Sequence, residues 1–342
     1  MQIRRLDARQ LAVFAGLAAA LFPGAAFAFD CAKAHTADEK AICASPDARA
    51  ADDAMTNAFE ALRATASPAQ RASILAAQVR WIGARGQACV DEGGARFTGA
   101  KLSACLADSS NARAKFLQAA PEAGPGASTP MVPFFVIVKR RKGRADVDFE
   151  LVKFTAEPSG AERAFNAAVN KLSEEIVQPD AGDPSADNYA FEDLMRITYA
   201  SPKLVSAMVN SYQNAGGAHP NSTIAHINVD LSAGKALFFA DLADAKAEAA
   251  IDARCADELR KQRKERLADF GGGGFPDDPF DADLARNVAQ TTNDLGAWGF
   301  GADKATIDYS PYSVGSYAEG YYACELPYAF LRPLAKPGFP IP

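Results

Sequence analysis

Residues 121–130 read Pro121-Glu122-Ala123-Gly124-Pro125-Gly126-Ala127-Ser128-Thr129-Pro130. Three prolines and two glycines in this stretch, with no apolar period, spell a linker. Before it, apolar residues recur at helical spacing. After it comes Phe134-Phe135-Val136-Ile137-Val138, an aromatic and β-branched run of strand character. The change in period predicts a multidomain chain: a small all-α, disulfide-stapled helical domain over 29–120, then an α+β domain with an antiparallel sheet over 131–342. A length of 342 residues suits two domains of roughly 150 each.

Within the helical part, Thr36-x-x-Glu39 forms a capping box ahead of Ile42 and Cys43. Ser45-Pro46 and Ser67-Pro68 each place an N-cap before a proline at the first helical position. Met55, Phe59 and Leu62 follow the first, and Leu75, Val79 and Ile82 the second, both at helical spacing. A last helix is expected from about Lys101 to Gln118.

At the N-terminus, Arg4, Arg5 and Arg9 precede the apolar run Leu11–Phe22 and the small-residue pattern Ala26-Phe27-Ala28. This predicts a signal peptide over 1–28, cleaved before Phe29, and a location in the periplasm or outside the cell. Asp30 before Cys31 argues against lipidation. No later apolar run approaches the length of a membrane span. In such a compartment the six cysteines predict disulfides. The short local pairings Cys31–Cys43 and Cys89–Cys105, with Cys255–Cys324 in the second part, are expected. Cross-pairing among the first four stays open, since all four fall at one end of a helical hairpin.

Beyond the linker, strands are expected at 134–138, 147–154, 189–199, 203–213, 223–231, 236–239, 305–309 and 321–326, with helices at 161–176, 242–268 and 281–295 and a short one at the C-terminus. Four glycines at 271–274 predict a loop. Charge is unevenly spread within a net −6: residues 1–28 sum to +2, 29–120 to +1 and 121–342 to −9. That excludes a uniformly basic nucleic-acid binder and points to a basic partner for the second part.

No set of residues converges on catalysis, so neither an enzyme nor a cofactor is expected. There is no Gly-x-Ser-x-Gly elbow. Adjacent acids such as Glu192-Asp193 and Asp277-Asp278 are read as solvated charges, and the Lys261–Arg266 cluster as an ion-paired helix face. His219 sits in Gly216-Gly217-Ala218-His219-Pro220-Asn221, a turn-forming run. His226, seven residues on, should face elsewhere, so no metal site is expected. Tyr309, Tyr312, Tyr317, Tyr321 and Tyr322 offer either interface anchors or core plugs. Gly315 is expected to make the turn that pushes Tyr312 and Tyr317 outward.

Phe29-Asp30-Cys31, Lys33-Ala34, Thr36, Glu39 and Ile42-Cys43 resemble the opening of the LprI N-terminal family, named after a lysozyme inhibitor. Gln78-x-x-Trp81-x-x-x-Arg85, Cys89, Cys105-Leu106, Arg113 and Leu117 resemble its second half. The chain departs from that pattern at Gly86, where a polar residue is usual, and at Ser110, where a tyrosine is common. The second part resembles the extracellular domain shared by the anti-sigma factor RsiV and the deacetylase PdaC. The run 216–221, Asp230-Leu231, Gly234-Lys235 and Tyr309-x-x-Tyr312-x-Val314-Gly315-x-Tyr317-Ala318-x-Gly320 carry that likeness. RsiV is a lysozyme receptor, so both resemblances imply a lysozyme-linked module. Sigma-factor control is not expected, because the chain carries no membrane helix or anti-sigma segment of the RsiV kind.

Together they imply an exported binding protein that recognises lysozyme or another muramidase and obstructs its cleft, with His219, Asn221, Tyr312 and Tyr317 as partner-binding residues. The alternative is a non-inhibitory cell-envelope module that binds peptidoglycan or an envelope protein. No nucleic acid is expected as a partner, and no membrane span after cleavage.

Overall fold

The computed structural model describes residues 30–342 except 92, 142–143, 175, 177, 179–187 and 270–279. The expected signal peptide, the glycine run and Asp277-Asp278 lie outside the described residues. Four helices come first: α1 (Ala37–Ala44), α2 (Pro46–Thr65), α3 (Pro68–Arg85) and α4 (Gly99–Leu117). Thr36, Ser45 and Ser67 each accept a backbone hydrogen bond at the start of the next helix, and the Thr36 and Ser67 capping boxes close from both sides. Disulfides Cys31–Cys43 and Cys89–Cys105 staple the helices, and Cys255–Cys324 closes the second part.

Strands β1 (Met131–Val138), β2 (Asp146–Phe154), β3 (Ala190–Ala200), β4 (Leu204–Asn214), β5 (Asn221–Asp230) and β6 (Lys235–Ala236) form one sheet in chain order. Pairing is antiparallel throughout except between β2 and β3, which run parallel. The sheet is therefore mixed rather than purely antiparallel. Helix α5 (Gly160–Glu174) lies between β2 and β3 in sequence and supplies the long crossover that a parallel neighbour needs. Ala161, Phe165 and Val169 of α5 bury against Val147, Phe149 and Leu151 of β2.

The chain continues through α6 (Phe239–Leu242), α7 (Ala245–Asp269), α8 (Phe280–Thr292), β7 (Trp298–Phe300), β8 (Lys304–Tyr309), β9 (Tyr322–Pro327) and α9 (Tyr328–Leu331). Strands β7–β8–β9 make a second, antiparallel sheet. Trp298, Phe300, Ile307 and Tyr309 bury with Ile251, Leu259 and Leu284 in a core of their own. Polar pins join the two sheets. Thr198 Oγ1 donates to the Phe300 carbonyl at 2.8 Å, and the Phe300 amide donates to Ser206 Oγ at 3.0 Å. Asn228 Nδ2 donates to the carbonyls of Leu295 and Trp298. Gly299 lies against the His226 ring, where a Cβ has no room.

The stretch read as a linker is tied to the sheet. The Glu122 amide donates to Ile197 O at 2.8 Å, and Gly126 donates to Ala200 O at 3.0 Å. Gly124 passes so close to Ala200 O, at φ +88°, that a side chain there would collide. Helices α3 and α4 lie over the sheet face opposite α5. Arg80 pairs with Asp146 at 2.6 Å and with Asp148 at 3.5 Å, while Arg113 forms a buried pair with Glu150. Among the described residues, no helix is long and apolar enough to cross a membrane.

Candidate functional site

The loop after β4 and the loop after β8 meet. Gly216 takes φ +80°, and its amide donates to Asn214 Oδ1 in the exposed turn 215–219 that ends the β4–β5 hairpin. His219 then stacks on Tyr317 with ring centroids 4.1 Å apart and lies near Tyr312 at 6.3 Å. Its Nδ1 is 2.8 Å from Pro220 O, and its Nε2 is 3.1 Å from the Tyr312 hydroxyl. A carbonyl only accepts, so Nδ1 carries the proton; in the neutral ring Nε2 then accepts from Tyr312. Tyr317 Oη also donates to Pro220 O, at 2.9 Å.

Three of the four expected binding residues therefore form one aromatic cluster. Asn221 stands next to it, exposed at the first position of β5 and opposite Gln213. Tyr312 is 61% exposed, whereas Tyr309 and Tyr322 are buried in the core. The tyrosine run thus splits: Tyr309 and Tyr322 plug the core, as one of the two expected roles has it, and Tyr312 is exposed. The turn is not made at Gly315. Tyr312 itself adopts φ +71°, a left-handed conformation that a bulky residue holds only when its surroundings enforce it. Gly315 instead lets the backbone pass the Tyr322 ring and Glu319.

What enforces the loop is a set of residues the sequence pattern did not single out as supports. Arg263 Nε donates to Glu319 Oε2 at 2.8 Å, and Tyr322 Oη donates to the same oxygen at 2.7 Å. Arg266 donates to the carbonyls of Glu319 at 2.6 Å and Tyr321 at 2.5 Å. Burial works against the Glu319 charge, but hydrogen bonds from Arg263, Tyr322 and Ser316 outweigh it and hold the carboxyl down at about 2. Val314 is buried and roots the loop in the core. The cluster on α7 read as an ion-paired face is in part a clamp for this loop; Lys261–Glu265 and Arg260–Asp257 do pair along the helix. A basic cluster on one helix and a distant glutamate carry no joint periodicity, so only the fold reveals them.

His226 is elsewhere, buried on β5 with Nε2 2.7 Å from Asp308 Oδ2. Among the described residues, no group of three acidic, histidine or cysteine side chains could hold a metal ion.

The residues quoted for the second half of the family likeness are mostly buried, whereas Asp30, Cys31, Lys33 and Thr36 of its opening are exposed. Arg85 Nη1 donates to Asp52 at 2.7 Å inside the bundle. Trp81 lies between the Arg85 and Arg113 guanidinium groups, at 5.1 and 5.6 Å from its ring centre. Gln78 Oε1 accepts from Arg113 Nε at 3.0 Å, and Arg113 continues to Glu150 on β2. Gly86 presses on Asp38, which pairs with Arg96, so a side chain there would collide; Ser110 is fully buried. Beside Trp81 and Arg113 a groove of about 580 Å³ opens between α4 and β3, lined also by Phe116, Leu194 and Arg196.

Residues 31–117 match the lysozyme inhibitor LprI family. No curated protein matches the chain. Among solved structures, a DUF3298 family protein from Pseudomonas aeruginosa is similar at 19% identity and a TM-score of 0.38, over 61% of this chain and 95% of that one. A DUF3298 family member from Bacteroides fragilis is similar at 14% identity and a TM-score of 0.42, over 61% and 94%.

Proposed function

We propose that this is an exported binding protein that recognises lysozyme or a related muramidase and obstructs its cleft. The match of residues 31–117 to the lysozyme inhibitor LprI family carries the reading. The paired loops 214–221 and 309–320 are the surface assigned to the task. Muramidases cleave glycans with two carboxyl groups in an open groove. A plug for such a groove needs a protruding, rigid shape with large aromatic area and polar tips. Tyr312, backed by His219 and Tyr317, has that form, and Asn221 adds a polar group at its edge. The clamp from Arg263 and Arg266 orders the loop beforehand, which lowers the entropy lost on binding. The net −9 of residues 121–342 would draw a basic enzyme. The likeness of the second part to the RsiV/PdaC-type domain supports the same reading.

One observation favours the rival, a non-inhibitory envelope module that binds peptidoglycan. Gln78, Arg85 and Arg113, quoted for the family likeness, are buried rather than displayed. Clearing of a bacterial suspension by lysozyme, followed by turbidity with and without the processed protein, decides between them. Slower clearing that saturates with protein supports inhibition. Unchanged clearing, with the protein carried down by purified peptidoglycan, overturns it.

A further inference from the structure

Tyr312 carries a hydroxyl whose single proton is already committed. Pro220 O can only accept, so the proton of neutral His219 sits on Nδ1, and the bare Nε2 takes the Tyr312 O–H at 3.1 Å. In that state the hydroxyl has only lone pairs left to offer a partner. Protonation of His219 reverses the bond. Nε2 then carries a proton and must donate, Tyr312 Oη accepts, and the hydroxyl proton turns away from the imidazole. Rotation about the Cζ–Oη bond is enough for this, because the rings are held in both states. Tyr317 stacks on the imidazole at 4.1 Å and lies 5.6 Å from Tyr312, and its own hydroxyl is tied to Pro220 O at 2.9 Å.

From this geometry we propose that the tip recognises a carboxylate through the Tyr312 hydroxyl, with His219 as the positioning residue whose protonation turns that hydroxyl into a free donor. This rests on the muramidase reading above and adds to it the group that is recognised. A muramidase cleft presents two carboxyl groups. An ionised carboxylate only accepts hydrogen bonds, so it matches the donor form of the tip and opposes the lone pairs of the other. Histidine takes up its proton in mild acid, so recognition should tighten as pH falls. The charged groups nearby have other work. Residues 212–223 hold Tyr212 and His219 as their titratable side chains, and 309–320 hold three tyrosines and Glu319. Glu319 is engaged by Arg263 and Tyr322, Arg266 by backbone carbonyls, and His226 by Asp308. Tyr321 lies beside Tyr317 and Ser222.

Calorimetric titration of lysozyme with the processed, oxidised protein at about pH 7.5 and about pH 5.5, at one ionic strength, tests the assignment. Between the two buffers the parent should gain about tenfold in affinity relative to His219→Gln, the factor that one hydrogen bond to a charged acceptor supplies. Setting two chains against the same enzyme cancels the titration of the enzyme's own carboxyls. Tyr312→Phe keeps the imidazole, loses the hydroxyl and should lose the same gain. Either variant responding to pH as the parent does would overturn the assignment while leaving muramidase recognition in place. No binding by the parent at either pH would remove that recognition, and this assignment with it. The nitrogen NMR spectrum of the imidazole in the free protein gives a readout that needs no partner. At about pH 7.5 it should show Nδ1 protonated and Nε2 bare, with Tyr312→Phe moving the Nε2 signal. The opposite tautomer, or an Nε2 signal indifferent to Tyr312→Phe, would overturn the assignment whatever the binding result.

Discussion

In the helical region the distinctive residues are hidden: Gln78, Arg85 and Arg113 are buried and join helices to one another and to the sheet. In the second region the distinctive residues sit at loop tips, with Tyr312 in solvent and its supports below it. One set of marks therefore reports a scaffold and the other a surface. The buried arginines need their partners in place, because a lone charge would be stranded in the interior. They do not by themselves say where a partner protein binds. The loop cluster does offer a surface, but its support comes from Arg263 and Arg266 on another element.

The largest expected effect lies in the scaffold. Arg113→Ala strands Glu150 in the interior and should cost about 3–5 kcal/mol, read by denaturant unfolding. Adding Glu150→Leu should recover much of it; no recovery would mean that the pair does not hold the helices to the sheet. The staples come next. Removing Cys255–Cys324, with a sequence separation of 69, should destabilise by about 4 kcal/mol, against about 3 kcal/mol for Cys31–Cys43 at 12, if loop entropy dominates. Equal losses would point to strain or residual structure instead.

The tyrosines sharpen the contrast further. Tyr322→Ala should cost about 3–5 kcal/mol of folding free energy, because its ring is buried. Tyr312→Ala should leave the melting temperature nearly unchanged and weaken muramidase binding by about 1–2 kcal/mol, as titration calorimetry would show. The smallest effect concerns acid. The folded Glu319 carboxyl at about 2 lies below its ordinary 4.5, so its ionised form contributes stability above about pH 4.5 that is lost as pH falls towards 2. Glu319→Gln should flatten that part of the stability profile. An unchanged slope would show that the clamp does not couple to folding.

Much of the scaffold was legible in the sequence, because it depends on local chemistry. Thr36, Ser45 and Ser67 announce helix starts whatever surrounds them, and all three disulfides follow the shortest pairings. Leu75, Val79 and Ile82 mislead because a period identifies a stripe but not what covers it. In α3 the inward face instead belongs to Ile74, Gln78 and Arg85, whose partners lie on other elements. The parallel β2–β3 pair is invisible in strand patterns, which carry no direction. The three-residue strand Trp298–Phe300 is too short to show alternation. Loops at 214–221 and 309–320 could be named as candidates, but their meeting through His219, Tyr312 and Tyr317 is a tertiary fact.

The order of the disulfides has a consequence for biogenesis. Each cysteine bonds to the next one along the chain, first to second, third to fourth and fifth to sixth. A chain that meets an oxidant from its N-terminus onward completes a native bond whenever an even-numbered thiol arrives. No correct bond has to wait for a partner beyond an intervening cysteine. Maturation should therefore need a dithiol oxidase but little thiol–disulfide reshuffling, and yield should hold in a host that lacks a disulfide isomerase.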